Sequence, residues 1–335
     1  MHIGLVYDLR DDYRKLGYGG EDIAEFDSES TIEALEEAIA SHGHTVERVG
    51  NIWRLTEMLA AGKRWDMVFN IAEGLHGTAR EAQVPALLDA YNLPYTFSAP
   101  EVMILCQDKA LAKTIVKAAG VPVADSVIIR DAAECAHVAL PWPLFAKPLA
   151  EGTGKGVSDR SKITSPAQLE EVCADLLRRF RQPVLVETFL PGREFTVGIL
   201  GTGAASRSIG TLEVVLKAGA ERVGHTYHNK EHCETLIDYV FVCDAVARKS
   251  EEIALAAWRI LGCRDGGRID LRCDASGHPV FLEANPLAGL HPTHSDLPIL
   301  AEQVGIPYRA LIGEILASAQ HSLRLSRLPI HRATA

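Results

Sequence analysis

Along most of the chain, apolar residues fall in short runs separated by polar, Gly-rich and Pro-rich breaks. Among the first hundred residues these runs alternate with stretches of helical periodicity. HIGLVYD (residues 2–8) reads as a strand, residues 31–42 as a helix closed by Gly43, HTVERV as a second strand, and WDMVFNIA (residues 65–72) as a third. Residues 81–91 read as a helix and LPYTFS as a short strand. This β-α-β alternation predicts a small parallel α/β domain. A boundary falls near Ser98 to Glu101, ahead of a helix over residues 108–119 that Gly120-Val121-Pro122 closes.

The middle of the chain changes character. SVIIRD, WPLFAKP and PVLVETFL read as strands, EGTGKGV as a glycine-rich loop and residues 166–180 as a helix, which together make a small α+β unit. From REFTVGIL onward come further strands, a helix over 250–261, a hairpin, and a last helix over 308–320. The fold class expected is α/β and α+β. The domains are 1–100, an N-terminal parallel α/β domain; 101–186, a central unit with the glycine-rich loop; and 187–322, a C-terminal unit. The basic tail LRLSRLPIHRATA, residues 323–335, is expected to fray.

The hairpin raises a chemical question. FLEANPLAGLHPTHSDLP starts as an apolar strand and then sets Glu283 and Asn285 on one face, since i and i+2 share a side. GRIDLRC upstream reads as its partner, with Asp274-Ala-Ser-Gly277 as the turn. Symmetry about Ser276-Gly277 puts Asp270 opposite Glu283 and Arg268 opposite Asn285. Facing carboxylates destabilise a ladder. They make sense around a hard cation such as Mg²⁺, which takes carboxylate and amide oxygens together with water and phosphate. A register slip of one residue would instead leave them on a solvated face.

Composition narrows the classes. With 335 residues, 47% hydrophobic and 23% charged, the chain is an ordinary globular protein long enough for two or three domains. A net charge of -10 argues against a general nucleic-acid or anionic-membrane binder. Seven cysteines without a C-x-x-C pair read as reduced thiols in a cytoplasmic protein. No run approaches the length of a membrane span.

Other residues suggest nucleotide chemistry. Lys147 ends an apolar strand, and Gly152, Gly154 and Gly156 alternate shortly after it. Such glycines let backbone N–H groups approach phosphate, or else form a bare hairpin tip. The loop is neither a Walker A motif nor a dinucleotide fingerprint. VLVETFLPGREF reads as a strand that becomes a hinge, with Glu187 and Glu194 as carboxylates beside it, or as an ordinary strand with surface glutamates. Lys109 opens a helix on which Lys113 and Lys117 share its face, the pattern of a solvated surface. His76 reads as a loop histidine, and His291 and His294 have poor spacing for a metal pair.

Taken in order, LVY, EGLHGTAREAQVPALLDAYNLPYT, DKALAKTIVKAAGVP, FAKPLAEGTGKGV, VLVETFLPGREFTV, GGRIDLRCD and FLEANPLAGL resemble the D-alanine–D-alanine ligase family of ATP-grasp enzymes, from the first strand to Gln320. The resemblance implies an ATP-grasp fold and an ATP-dependent ligase that joins two amino acids through an acyl phosphate. Lys109 and Lys147 would contact ATP phosphates, and the loop at Thr153 and Gly154 would close over them. Glu187, Phe189 and Leu190 would line the adenine hinge, Glu194 would hold ribose, and Lys230 would be a phosphate-side lysine on a mobile loop. Asp270, Glu283 and Asn285 would hold two Mg²⁺ ions, for which Mn²⁺ can substitute. Arg268 and the backbone at Gly289 would stabilise the oxyanion, Glu25 and Ser28 would meet the first substrate, and Ser295 the acceptor. Partners are small amino-acid substrates, with a homodimer left open as in many relatives.

Four departures qualify the match. Thr188 stands where the family has lysine, and Glu231 where it has tyrosine. Glu25 and Ser28 align only with a shift of one residue. Ser295 is followed by Asp296 in place of an apolar residue. A carboxylate there would repel an acceptor carboxylate, unless Asp296 turns away to cap the helix from Leu297. Two further readings stand beside the leading one: a biosynthetic carboxylate–amine ligase with another acceptor, and a nucleotide-binding regulatory module without catalysis. The complete set of Arg268, Asp270, Glu283 and Asn285 argues against the module. A hydrolase is disfavoured, since no nucleophile elbow or H-E-x-x-H is present.

Overall fold

The computed structural model describes residues 1–326. Three sheets follow one another along the chain. The first is parallel, with β1 (His2–Val6) between β2 (Thr45–Gly50) and β3 (Met67–Asn70). The second is antiparallel, with β4 (Ser126–Ile129), β5 (Leu144–Pro148), β6 (Lys162–Ile163) and β7 (Val184–Thr188) in the order β4-β7-β5-β6. The third holds β8 (Glu194–Leu200), β9 (Arg207–Leu216), β10 (Ile237–Val242), β11 (Gly266–Cys273) and β12 (Pro279–Asn285) in the order β10-β9-β8-β11-β12. The mixed α/β and α+β class is therefore observed.

Several expectations need correction. LPYTFS forms no strand: Tyr95 makes a single bridge to Val68, and the Thr96 hydroxyl accepts from the Asn70 N–H instead of extending a ladder. Short helices at Arg10–Lys15, Ile52–Ala60 and Pro100–Gln107 were not expected. The last helix runs over Tyr308–Ser326, so the first residues of the expected tail are helical. The remainder of that tail lies outside the described residues. No helix among the described residues is long and apolar enough to cross a membrane.

Packing ties the ends of the chain together. Ile3, Leu5 and Phe69 of the first sheet share one core with Leu311, Ile312 and Ile315 of the last helix and with Leu297 and Leu300. Fully burying each such side chain contributes about 1.5–3 kcal/mol. Helices Lys109–Ala118 and Ala245–Leu261 cover one face of the third sheet around Trp258, Ile269 and Phe281. The middle sheet has its own core of Leu144, Ala146, Val184 and Val186 under helix Pro166–Phe180.

The hairpin of β11 and β12 has the expected far-end register. Asp270 pairs with Glu283 and Arg268 with Asn285. Near the turn the count differs, because Cys273 pairs with Pro279, where symmetry about Ser276-Gly277 would give Val280, so the loop is one residue shorter. There the Asp274 Oδ1 accepts from the N–H groups of Ser276 at 2.8 Å and His278 at 2.9 Å. A bulge at Leu282 absorbs that difference and swings Glu283 back opposite Asp270.

Gly267 lets this hairpin close against its helix. A Cβ there would lie 2.5 Å from the Asn285 carbonyl oxygen and 2.7 Å from the Trp258 ring. Gly267→Ala should therefore destabilise the chain by about 1–3 kcal/mol, the usual cost of overpacking. The urea midpoint measures it, and an unchanged midpoint would show that the strands yield there.

Candidate active site

A cavity of about 550 Å³ opens where the three sheets meet, and a smaller one of about 90 Å³ adjoins it. Lys109, Glu151, His225, Lys230 and Glu283 line both. The smaller cavity is walled by Lys147, Gly154, Glu187, Phe189, Leu190, Glu194 and Asp270. The larger is walled by Glu25, Ser28, Thr153, Arg268, Asn285, Gly289, Ser295 and Asp296. Every residue expected from the sequence thus borders one of two connected spaces.

The carboxylate pair is compensated by cations from three elements. The Glu283 Oε2 lies 3.6 Å from Lys109 Nζ and 3.7 Å from Lys147 Nζ. Burial pushes Glu283 up, but Lys109 and Lys147, then Lys230 and Arg268, hold it far below the ordinary carboxylate range. Asp270 accepts from the Thr196 hydroxyl at 2.9 Å, from the Asn285 side-chain amide at 3.1 Å, and from the Arg268 guanidinium. Among the described residues no cluster of three or more His, Cys, Asp or Glu is assembled for a metal. The available donors are the oxygens of Asp270, Glu283 and Asn285, which border the two cavities. An all-oxygen set of this kind fits Mg²⁺ and does not fit a softer ion.

Beside the hinge, Glu187 is 3% exposed. Lys113 lies 2.9 Å and Lys147 3.4 Å from its carboxylate. Burial raises Glu187, but these two lysines outweigh it and set its pKa below normal. Burial lowers Lys113, with Glu187 opposing. The solvated-face reading of this helix is therefore wrong for Lys109 and Lys113, which are buried, and right for Lys117, which is exposed and 2.9 Å from Asp125. Nothing in the sequence says that this helix packs on β12, where the Lys113 Nζ donates to the Phe281 carbonyl at 3.2 Å. Glu194 lies 3.5 Å from Arg272, and burial raises its pKa. The Thr188 hydroxyl, in place of the family's lysine, is buried without a partner.

The glycine-rich loop is latched to the first sheet's loop. The Glu25 Oε1 accepts from the Gly152 N–H at 2.7 Å, and Arg80 donates to both Glu25 oxygens at 3.0 and 2.9 Å. Lys155 stands 3.2 Å from Glu25 and 2.7 Å from Glu151. Burial raises Glu25, yet Arg80 and Lys155 depress it to about 2. Glu25 is thus already saturated, which leaves it little capacity for a substrate ammonium. Ser28 caps helix Glu29–Ser41, accepting from the Thr31 N–H at 3.4 Å. Thr153 and Gly154 both have positive φ, of 52° and 69°. A Cβ at Gly154 would sit 2.7 Å from the Tyr227 nitrogen, so glycine there lets the loop touch the segment carrying Lys230.

Two carboxyls that no sequence motif marks line the larger cavity, in the same segment as His76. His76 is exposed, whereas Glu73 and Glu81 line the cavity. Burial, then Glu81 and Glu25, pushes Glu73 well above the usual range. Burial raises Glu81 to about 7. At the other end Ser295 accepts from the His291 N–H at 3.0 Å and precedes helix Asp296–Gln303 without making a side-chain cap bond. The expected alternative, Asp296 capping that helix, does not hold: Asp296 is its first residue and its Oδ2 lies 3.7 Å from Arg268 Nε. His291 and His294 are adjacent, with ring centroids 4.5 Å apart, and both line the cavity.

Comparison with known proteins gives the family. Residues 115–317 match the family described as D-ala D-ala ligase C-terminus. A D-alanine–D-alanine ligase of Bordetella petrii is 33% identical over 270 residues, covering 79% of this chain and 78% of that one. The fold is similar to a Bacillus anthracis D-alanine–D-alanine ligase complexed with ATP, with a TM-score of 0.71 at 19% identity, over 97% of this chain and 99% of that one. It is similar also to the VanG D-Ala:D-Ser ligase of Enterococcus faecalis, with a TM-score of 0.73 at 19% identity, over 95% and 99%. The architecture is the ATP-grasp fold of ATP-dependent carbon–nitrogen ligases. Within that class the chain belongs to the D-alanine–D-alanine ligase family.

The buried Lys113–Glu187 pair gives a direct test. Removing one partner of a buried ion pair costs about 3–5 kcal/mol, less where a second cation remains. Lys113→Met should lower the denaturation midpoint, and Lys113→Met with Glu187→Leu should be less harmful than the two changes summed. Strict additivity in chemical denaturation would mean that the two groups do not interact.

Proposed function

We propose that the chain activates the carboxylate of one amino acid, D-alanine or a close relative, with ATP and Mg²⁺, and joins it to the amine of a second substrate. The observation that carries this reading is the register pair Asp270–Glu283, compensated by Lys109, Lys147 and Arg268 at the junction of two cavities. A binding module has no need of so costly a grouping.

In this reading Phe189 and Leu190 receive the adenine edge, Glu187 orients that hinge, and Glu194 accepts from ribose hydroxyls. Lys109, Lys147 and Lys230 meet the phosphates, while the N–H groups of the loop at Thr153 and Gly154 cover them and exclude water. Asp270, Glu283 and Asn285 would hold Mg²⁺, which supplies charge neutralisation on the phosphates when bound. The donor carboxylate attacks the γ-phosphorus, and the amine then displaces phosphate from the acyl carbon. Arg268 and Gly289 line the larger cavity, where the guanidinium and the Gly289 N–H would stabilise the tetrahedral oxyanion. Glu81, which lines the larger cavity and accepts from the Gln107 amide at 3.0 Å, would take the first substrate's ammonium. The chain itself forms no covalent intermediate; positioning and electrostatics carry the rate.

ATP turnover with Mg²⁺ and a panel of amino acids, including D-alanine, tests this. ADP release that depends on the amino acid, with a product one water lighter than its parts by mass spectrometry, is expected. Arg268→Met should lower kcat about 100-fold or more while ATP affinity changes little, and Arg268→Lys should recover part of it. Tight Mg-ATP binding with no turnover on any pair would leave a nucleotide-binding module instead.

A further inference from the structure

The larger cavity has an end that the smaller one does not share, walled by Asp296, Arg268, Tyr239, Cys233, Ser295 and Gly289. Asp296 is 8% exposed. It is the first residue of its helix, and the N-cap position belongs to Ser295. The one basic group within 4 Å of it among the described residues is Arg268, at 3.7 Å. Arg268 is already shared, because its guanidinium also bonds Asp270. The other groups around Asp296 bring no charge to offset it. The Tyr239 hydroxyl, uncharged, stands beside the Asp296 carboxylate and 2.9 Å from His225 Nε2, and burial, with Lys230 and Arg268 nearby, keeps that ring neutral. Cys233 is a thiol that burial pushes up. Further out, Glu234 adds a second carboxylate, 3.5 Å from His294.

A free carboxylate arriving at this end would meet the largely buried Asp296 with no uncommitted cation beside it. Like charges at such a site oppose each other strongly. An uncharged amide group could instead donate hydrogen bonds to Asp296, and an ammonium could pair with it. We propose that Asp296 is a specificity-determining residue, and that the acceptor amine carries an uncharged or cationic group, not a free carboxylate, next to its reacting nitrogen. An α-amino amide or a diamine has that chemistry. This inference rests on the ligase reading above and narrows its second substrate. The transfer step is unchanged: the nitrogen bonds the acyl carbon, the carbon–oxygen bond to phosphate breaks, and the nitrogen releases a proton.

The test uses the full chain with Mg-ATP, either enantiomer of alanine as carboxyl donor, and free alanine, alaninamide or 1,2-diaminoethane as competing acceptors, with products resolved by mass. The wild type should favour alaninamide or the diamine over free alanine at least tenfold in kcat/KM. Asp296→Leu should shift that ratio at least tenfold toward free alanine. Asp296→Asn, nearly the same shape, should shift it in the same direction and guards against a folding defect. Efficient alanine–alanine coupling by the wild type, or a ratio unmoved by both substitutions, overturns the inference while leaving the ligase reading intact. Absence of ADP release with every pair overturns both.

Discussion

Two carboxylates, Asp270 and Glu283, face each other across the β11–β12 ladder, and the surrounding structure compensates that repulsion. Lys109 comes from a helix, Lys147 from the middle sheet and Arg268 from the same strand as Asp270. Lys109 and Lys147 could not be removed cheaply, because they hold ionised a Glu283 that burial pushes toward taking up a proton. The three-sheet arrangement can be understood as the scaffold that brings cations from separate parts of the chain to one pair of acids. Glycine at position 267 and the bulge at Leu282 are the local devices that bring the acids into register.

The same logic extends outward through a shared network. Lys147 bridges Glu283 and Glu187, so the acid pair and the hinge are coupled through one ammonium. Lys113 supports Glu187 from behind and binds the β12 backbone. On the far side, Arg80 and Lys155 clamp Glu25, tying the glycine-rich loop to the first sheet. Buried ion pairs of this sort contribute little net stability, since desolvation offsets attraction. Their value here is geometric: they hold charged groups at fixed positions around an open space, which is what preorganised electrostatic catalysis needs.

Much of this was legible in the sequence, for identifiable reasons. Alternation along β11 and β12, with a recognisable turn, was enough to pair Asp270 with Glu283, although a loop one residue shorter than symmetry implies and the extra residue of the bulge compensated in a way no count could reveal. Helix Pro166–Phe180 matched its expected limits because Ser165, Pro166 and the apolar period all agree. What escaped was long-range. Lys113 looks like Lys117 in sequence and differs only in which side of its helix meets β12. Glu25 was expected to be free for substrate, and its saturation depends on Arg80, 55 residues away. LPYTFS has the composition of a strand but neighbours that leave it room for only one bridge. Asp296 could be read either way until the helix start and the Arg268 contact were seen.

The central claim is that the Asp270–Glu283 pair exists to share a divalent cation with nucleotide phosphates. Calorimetric titration of ATP into the protein with Mg²⁺ and with EDTA tests it most directly, in the wild type and in Glu283→Gln. The account predicts that Mg²⁺ tightens ATP binding at least tenfold in the wild type and that Glu283→Gln removes most of that gain. Equal ATP affinity with and without Mg²⁺ in the wild type, or an undiminished gain in Glu283→Gln, would contradict it.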